Sequence, residues 1–169
     1  MNESVRPLHV LVLCTGNSCR SIMAEVLFNE LGRGRVRAFS AGSHPAGAVN
    51  PAAIAKLKKE GHSTAGLASK SWDRFSAADS PAIDLVITVC DSAANEACPV
   101  WIGAPVTVHW GIPDPADAKE ADRDRAFDLA YAQLRQRIER TLELPLDSLD
   151  RRYLKESLQR IHDASSRET

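Results

Sequence analysis

Short apolar runs alternate with stretches of helical periodicity along this chain. The run LHVLVL at Leu8–Leu13 is almost wholly apolar and too short for a helix, which predicts a buried strand. Three further strands are predicted, one by the alternation of side chains at residues 35–40 and two at residues 83–90 and 106–109. Between and after the strands, apolar residues recur at helical spacing and predict helices at residues 22–31, 50–60, 69–76, 122–142 and 149–161.

Strands that alternate with helices predict an α/β fold, here one three-layer domain with a four-stranded parallel sheet flanked by helices. A chain of 169 residues can bury a core without disulfide or metal staples, so residues 1–169 are expected to form a single domain. Ligands of such folds bind outside the carboxyl ends of the strands. Cys14, Cys90 and the loop that contains Asp114 all fall at that end of the predicted sheet.

Composition and charge narrow the classes of function. Residues 1–75 carry 10 Lys and Arg against 5 Asp and Glu, whereas residues 76–169 carry 11 against 17. The basic half favours an anionic ligand, but no dense basic cluster interleaved with aromatics predicts nucleic-acid binding. No stretch approaches the ~18 to 20 apolar residues of a membrane span, so no membrane partner is expected.

The four cysteines form two close pairs, Cys14 with Cys19 and Cys90 with Cys98, and no export signal precedes them. This usage indicates a cytoplasmic protein, because in a reducing compartment such pairs are more often catalytic, redox-active or metal-binding than structural. Elsewhere, His44 and His62 are expected on surface loops.

Between the first predicted strand and the first predicted helix lies the segment CTGNSCRS, residues 14–21. Backbone N–H groups wrapped around one point make an anion-binding nest, and the positive end of the helix dipole strengthens it. Arg20 adds bidentate hydrogen bonds to a tetrahedral oxyanion. The same surroundings stabilise a thiolate at Cys14, to which the Ser21 hydroxyl is placed to donate.

A Cys-x5-Arg spacing also arises by chance, with Cys14 as a small apolar residue at a strand end and Arg20 as a surface charge. The strand before the segment and the helix after it favour the nest instead. Gly16 and Asn17 favour it too, since both residue types tolerate positive φ.

Four other segments accompany this loop: SAG at residues 40–42, VNPAAI at 49–54, VCDSAANEACPVW at 89–101 and HWGIPDPA at 109–116. Together with CTGNSCRSIMAE at residues 14–25, they resemble the arsenate reductases built on the low-molecular-weight protein tyrosine phosphatase fold. The resemblance covers residues 8–142 as a core. It leaves residues 147–169 as a C-terminal helical extension, whose tail from Asp163 onward is expected to fray.

The resemblance implies that Cys14 is the nucleophile that attacks arsenate, for which phosphate or sulfate are analogues, and that Asp114 is the general acid. Expelling hydroxide from arsenic requires a proton, and a loop rimmed by two prolines holds Asp114 over the pocket. His109 and Trp110 are expected to pack against this loop and orient it. The oxyanion would be bound by Arg20 and by the amides of Thr15, Gly16, Asn17, Ser18, Cys19 and Arg20.

The second cysteine pair separates a reductase from a phosphatase, because a reductase must supply two electrons. In the implied mechanism Cys14 forms an arseno adduct, Cys90 attacks the Cys14 sulfur to release arsenite, and Cys98 attacks Cys90 to regenerate Cys14. The sulfurs meet only if the Cα atoms come within about 7 Å. Residues 91–97 carry little apolar surface and are expected to move for this step.

Other interpretations remain open. Cys90 and Cys98 also fit buried spectators at a strand end, or zinc ligands with Cys14 and Cys19, although these spacings suit zinc ribbons poorly and no metal is expected. The alternative function is a phosphotyrosine or other phosphomonoester phosphatase of the same fold. A third is a redox-regulated anion-binding protein without turnover, in which Asp114 is only a turn residue.

No tightly bound cofactor is expected, and the electrons would come from an external thiol. Thioredoxin is favoured over glutathione with glutaredoxin, because an internal disulfide is the natural substrate of thioredoxin. The seven residues between Cys90 and Cys98 are one more than thioredoxin-linked relatives have, which leaves the reductant open. The expected oligomeric state is a monomer or weak dimer.

Some relatives bind potassium beside the loop through positions that resemble Asn17, Glu25 and Ser40 and through an acidic residue. In the region of that acidic residue this chain has Lys70. The lysine ammonium is expected to lie where the cation would sit, which predicts activity that is insensitive to potassium.

Overall fold

Four parallel strands form one sheet in the order β2-β1-β3-β4. They are β1 (Leu8–Cys14), β2 (Val36–Gly42), β3 (Leu85–Thr88) and β4 (Val106–His109). The computed structural model describes residues 6–90, 101, 103, 105–148 and 150–167. The predicted four-stranded parallel sheet is confirmed. Strands β1 and β2 reach further than predicted, and β3 is shorter because it pairs residue by residue with the four-residue β4.

The longer helices of the described residues are α1 (Arg20–Gly32), α2 (Pro51–Lys59), α3 (Arg123–Leu142) and α4 (Arg151–Arg167). Short 3₁₀ turns lie at Trp72–Phe75, Pro115–Asp117 and Glu120–Asp122. Helix α2 begins as predicted, because the Asn50 side chain accepts from Ala52 N at 2.9 Å and Pro51 takes the first helical position. The predicted helix at 69–76 is only the 3₁₀ turn. None of the described helices is both long and apolar enough to span a bilayer.

The two faces of the sheet carry separate clusters of buried side chains. On β1, Val10 and Val12 belong to the larger cluster, which contains the buried faces of all four helices just named. Leu11 and Leu13 face the opposite side of the sheet and belong to the smaller cluster, which also contains Phe75 and Trp101. Both central strands are thus buried on both faces, as the continuous apolar runs predict.

The C-terminal extension joins the same hydrophobic core. Leu154 and Leu158 of α4 are buried in the larger cluster. The expected fraying from Asp163 is wrong, since the helix continues to Arg167 and Ser165 is 1% exposed. Its hydroxyl accepts from Arg140 Nη1 of α3 at 3.2 Å, so tertiary packing continues the last turns.

The expectation for His62 is also wrong, whereas His44 is exposed as predicted. His62 lies in contact with α1 and α3. One ring nitrogen contacts the carboxylate of Glu30, and Nε2 lies 2.6 Å from the Tyr131 hydroxyl. A polar residue after a helix-ending glycine gives no sequence signal of such burial.

The strand register brings the chemical residues to one end of the sheet. Cys14 pairs with Gly42 across β1 and β2, and Thr88 pairs with His109 across β3 and β4. Gly42 is needed there because a Cβ at this position would lie 2.4 Å from Thr15 O. The segments that follow β1, β3 and β4 therefore leave the sheet side by side.

Candidate active site

The loop after β1 curls over the sulfur of Cys14. Asn17 N donates to Cys14 Sγ at 3.2 Å, and the Ser21 hydroxyl lies 2.9 Å from the same sulfur. Asn17 has φ +46°, a left-handed conformation that asparagine tolerates better than most residues. This turn brings the chain back to the start of α1 at Arg20, as the sequence pattern predicts.

A buried hydrogen-bond chain orients the Ser21 hydroxyl. Lys70 N donates to Asn17 Oδ1 at 2.8 Å, which leaves Asn17 Nδ2 to donate to Ser21 Oγ at 2.8 Å. That oxygen accepts from Asn17 and still has its own hydrogen to donate to a Cys14 thiolate. Asn17 and Ser21 are both fully buried, so this arrangement is isolated from water.

Neighbouring residues hold the carbonyls of the loop on its outer side. Thr15 O, Gly16 O and Ser18 O accept from backbone amides within residues 44–50 at 2.9 to 3.0 Å. In a planar trans peptide the C=O and the next N–H point in opposite directions. The N–H groups that follow these carbonyls therefore point inward, and that of Asn17 reaches the Cys14 sulfur. These three backbone hydrogen bonds give the predicted nest of amides a structural basis.

The Arg20 side chain extends from the start of α1 and contacts the segment after β4. Its Nη1 donates to Ile112 O at 2.8 Å, and its Nη2 lies 3.4 Å from Asp114 Oδ2. Arg20 Nε is buried and has no hydrogen-bond partner among the described residues. A buried N–H without an acceptor is costly, so this donor suits an anion that enters the site.

Asp114 and Cys90 line one cavity with Arg20. The cavity measures about 610 Å³ and is lined by Thr15, Arg20, Cys90, Gly111, Ile112, Pro113, Asp114 and Asp117. Asp114 Oδ1 accepts from Ala116 N at 3.0 Å, which leaves Oδ2 facing Arg20. Cys90 Sγ lies 3.5 Å from the Thr15 hydroxyl, so this thiol reaches the residue next to Cys14.

The two thiols of the loop differ in environment. Cys14 Sγ accepts from the amide of Asn17 and lies 2.9 Å from the hydroxyl of Ser21. Burial raises the pKa of Cys19 to about 11, and the charges of Asp114 and Cys14 add to this effect against the opposing Ser18 hydrogen bond and Arg20 charge. Cys19 is therefore a protonated thiol near neutral pH.

Lys70 lies behind the loop beside Glu25 and Ser40. Its Nζ donates to Ala68 O at 2.6 Å, and lies 3.5 Å from Ser40 Oγ and 3.7 Å from Glu25 Oε1. Ser40 Oγ in turn donates to Glu25 Oε1 at 2.9 Å. Burial lowers the pKa of Lys70, against the opposing attraction of Glu25.

The structure brings together Cys14, Arg20, Ser21, Cys90 and Asp114, as the sequence analysis expects. Cys98 and residues 91–97 lie outside the described residues, so the expected movement of that segment stays a prediction. Cys14 and Cys19 are free thiols. Within the described part of the chain, no cluster of three metal-ligating side chains is found.

Sequence reasoning missed the partners that orient the predicted residues. Ile112 supplies its carbonyl to Arg20, and the Lys70 amide fixes the orientation of Asn17. Both are backbone contacts across 92 and 53 residues of sequence, and side-chain patterns carry no signal of them.

Comparison with known proteins places this site in a family. The family model described as low molecular weight phosphotyrosine protein phosphatase matches residues 9–156. The arsenate reductase of Halalkalibacterium halodurans is 36% identical over 125 residues, which cover 74% of this chain and 84% of that protein. The glutaredoxin arsenate reductase of Synechocystis is 32% identical over 130 residues, which cover 77% and 92%.

A solved structure is also similar over most of the chain. One described as an arsenate reductase in the phosphate binding state superposes with a TM-score of 0.66 at 28% identity, and the match covers 80% of this chain and 97% of that one. The chain belongs to the low molecular weight phosphotyrosine protein phosphatase family.

Proposed function

We propose that this protein is a cytoplasmic enzyme that reduces arsenate to arsenite by means of three cysteine thiols. One observation carries the proposal: Cys90 lines the same cavity as Arg20 and Asp114, and its sulfur lies 3.5 Å from the hydroxyl of Thr15, the neighbour of Cys14. A phosphatase that finishes its cycle with water needs no second thiol at this place. The arsenate reductases at 32% to 36% identity support the same conclusion.

The first step is attack by the Cys14 thiolate on the arsenic of bound arsenate. The amides of residues 15–20 and the guanidinium of Arg20 neutralise the charge of the oxyanion, with Arg20 Nε gaining an acceptor that no described residue supplies. A sulfur–arsenic bond forms and an arsenic–oxygen bond breaks. Asp114 supplies the proton, so that the oxygen leaves as water.

The second step transfers two electrons to arsenic. The Cys90 thiolate attacks Cys14 Sγ, a disulfide forms, and the electron pair of the sulfur–arsenic bond stays on arsenic, which departs as arsenite. The Thr15 hydroxyl, 3.5 Å from Cys90 Sγ, is placed to stabilise the attacking thiolate by donating a hydrogen bond. The Cys98 thiolate then attacks Cys90, which releases the Cys14 thiolate and leaves a Cys90–Cys98 disulfide.

Replacing Cys98 by serine should leave the first turnover intact and stop the second. The variant has no thiol to resolve the Cys14–Cys90 disulfide, so this disulfide should accumulate, with one arsenite released per protein. Mass spectrometry of a thiol-alkylated digest identifies the linked peptides. Normal recycling of Cys98→Ser with the physiological reductant would show that the relay uses only two cysteines. Cys90→Ser is the matched variant, which should hold the adduct and form no disulfide with Cys14.

The Cys90–Cys98 disulfide calls for a dithiol protein as reductant. We favour thioredoxin, because it reduces internal disulfides directly. The word glutaredoxin in the name of the Synechocystis relative supports the alternative, in which glutathione attacks before Cys98 acts. Turnover with each reductant system alone, in the wild type and in Cys98→Ser, separates the two, since glutathione would bypass Cys98.

The second candidate function is hydrolysis of a phosphomonoester, which the match to the phosphatase family model favours. In both reactions the amides of residues 15–20 and Arg20 would bind the oxyanion, and Asp114 would protonate the leaving group. The discriminating experiment compares arsenate-dependent consumption of a thiol reductant with hydrolysis of an aryl phosphate by one preparation. Rapid hydrolysis without arsenite formation would establish the phosphatase, and the absence of both activities would favour an anion-binding protein.

Activity should be insensitive to potassium. The residues around Glu25 and Ser40 do not fit a bound cation, because the Lys70 ammonium already lies within 3.7 Å of both. Arsenate reduction should be equal in potassium chloride and choline chloride at one ionic strength. Lys70→Ala removes the ammonium and should lower the rate, with partial recovery in potassium. Strong stimulation of the wild type by potassium would contradict this assignment of Lys70.

A further inference from the structure

Trp110 connects the candidate active site to the C-terminal helix. It follows β4 directly, lies four residues before Asp114 and is 1% exposed. Its indole stacks on Phe28 of α1, with ring centroids 6.4 Å apart and planes at 14°. On the other side, Trp110 Nε1 donates to Leu158 O of α4 at 3.2 Å. The indole is thereby held between the helix that begins with Arg20 and the C-terminal extension.

The chain from Trp110 toward Asp114 is attached to β3 and to Arg20. Trp110 N donates to the last carbonyl of β3 at 2.7 Å, and Ile112 N donates to Val89 O at 3.1 Å. The carbonyl of Ile112 then accepts from Arg20 at 2.8 Å. A displacement of the indole therefore reaches both the acceptor that orients Arg20 and the start of the acid loop.

Helix α4 is a firm support for this contact. Leu158 is fully buried, and the helix is bonded to α3 at two further points. Arg137 Nε donates to His162 Nδ1 at 3.2 Å, and Arg140 Nη1 donates to Ser165 Oγ at 3.2 Å. Arg137 is itself 2% exposed, so the bond to His162 lies in the interior.

We propose that α4 positions the acid loop through Trp110, which makes Trp110 a positioning residue for Asp114. The extension at residues 147–169 then folds as one unit with the core at residues 8–142 and contributes to catalysis, although none of its described residues lines the cavity. The inference rests on the proposed role of Asp114 as proton donor.

The test is the variant Trp110→Phe, which keeps an aromatic ring against Phe28 and removes the donor to Leu158 O. We expect kcat for arsenate reduction to fall about 10-fold or more, because small misplacements of a catalytic group cost that much. The KM for arsenate should change less than kcat, since residues 14–19 keep their own contacts and only the bond from Arg20 to Ile112 O is disturbed. In an Asp114→Asn background, Trp110→Phe should cause no further loss, because the group that it positions is already gone.

Two additional measurements keep the test independent of folding and of the reaction. Hydrogen exchange of residues 111–114 should be faster in Trp110→Phe than in the wild type. If Trp110→Phe fails to fold, Leu158→Val is the second variant, which keeps the main-chain carbonyl that accepts from Trp110 and loosens the packing of α4 around it. Tyr153→Ala is the control on the same helix, since Tyr153 is 49% exposed, and it should change neither kcat nor exchange.

An equal loss of kcat in the Asp114→Asn background would overturn the proposal, and so would a change confined to KM or unchanged exchange at residues 111–114. Failure of the proposed function has a different signature. If the wild type hydrolyses an aryl phosphate and makes no arsenite, the same double-mutant cycle is run on hydrolysis, where Asp114 also protonates the leaving group. If it does neither, the exchange measurement decides alone.

Discussion

Replacing Cys14 by serine should abolish arsenate reduction and any aryl phosphatase activity together. Both reactions begin with the same sulfur, and a serine hydroxyl surrounded by the same donors remains protonated and is a poor nucleophile. The loss should reach about 10⁶-fold, the order found when a covalent nucleophile is removed from an enzyme. Arsenite formation and p-nitrophenol release from its phosphate ester measure the two activities.

Anion binding separates this result from a folding defect. The amides of residues 15–20 and Arg20 bind an anion without the help of the sulfur. Cys14→Ser should therefore still bind phosphate, as detected by calorimetry. Cys19→Ser is the matched variant in the same loop. It removes a thiol that burial keeps protonated, with a pKa raised to about 11, and it retains the backbone amide. It should lose far less activity, and equal losses in both variants would refute the assignment of the nucleophile.

Replacing Asp114 by asparagine should slow formation of the adduct by about 10²-fold to 10⁴-fold, the usual contribution of a positioned acid. The amide keeps an oxygen for Ala116 N, which Asp114 Oδ1 now accepts from at 3.0 Å, so the loop should hold its shape. What is lost is the proton for the leaving oxygen and the negative charge beside Arg20. Rapid-quench single turnovers with excess protein measure this step directly.

Asp117→Asn is the control for that prediction. Asp117 lines the same cavity and is also acidic, but it is exposed and lies within the 3₁₀ turn after the acid. Its replacement changes the net charge of the cavity equally and should leave the rate of adduct formation nearly unchanged. A similar loss in both variants would mean that cavity charge matters and that neither side chain is the acid.

Local features of the sequence were sufficient to predict most of the helices and strands. Helix α2 has its cap at Asn50 and a proline at the first position, and both act within one turn of chain. The strand β4 has its predicted bounds. The errors arise where distant groups decide the outcome: the last turns of α4 are stabilised by Arg140, and His62 is buried by contacts with Glu30 and Tyr131.

The sequence by itself determined the chemistry available at the loop, namely a cysteine, five residues and an arginine between a strand and a helix. These residues are neighbours along the chain, so their spacing and backbone preferences restrict them to one turn geometry. Only the tertiary structure decided which groups orient them. Thr15 meets Cys90, Asn17 meets Lys70 and Trp110 meets Leu158 across separations of 48 to 75 residues. Such contacts depend on how the strands and helices pack, which periodicity along the chain does not encode.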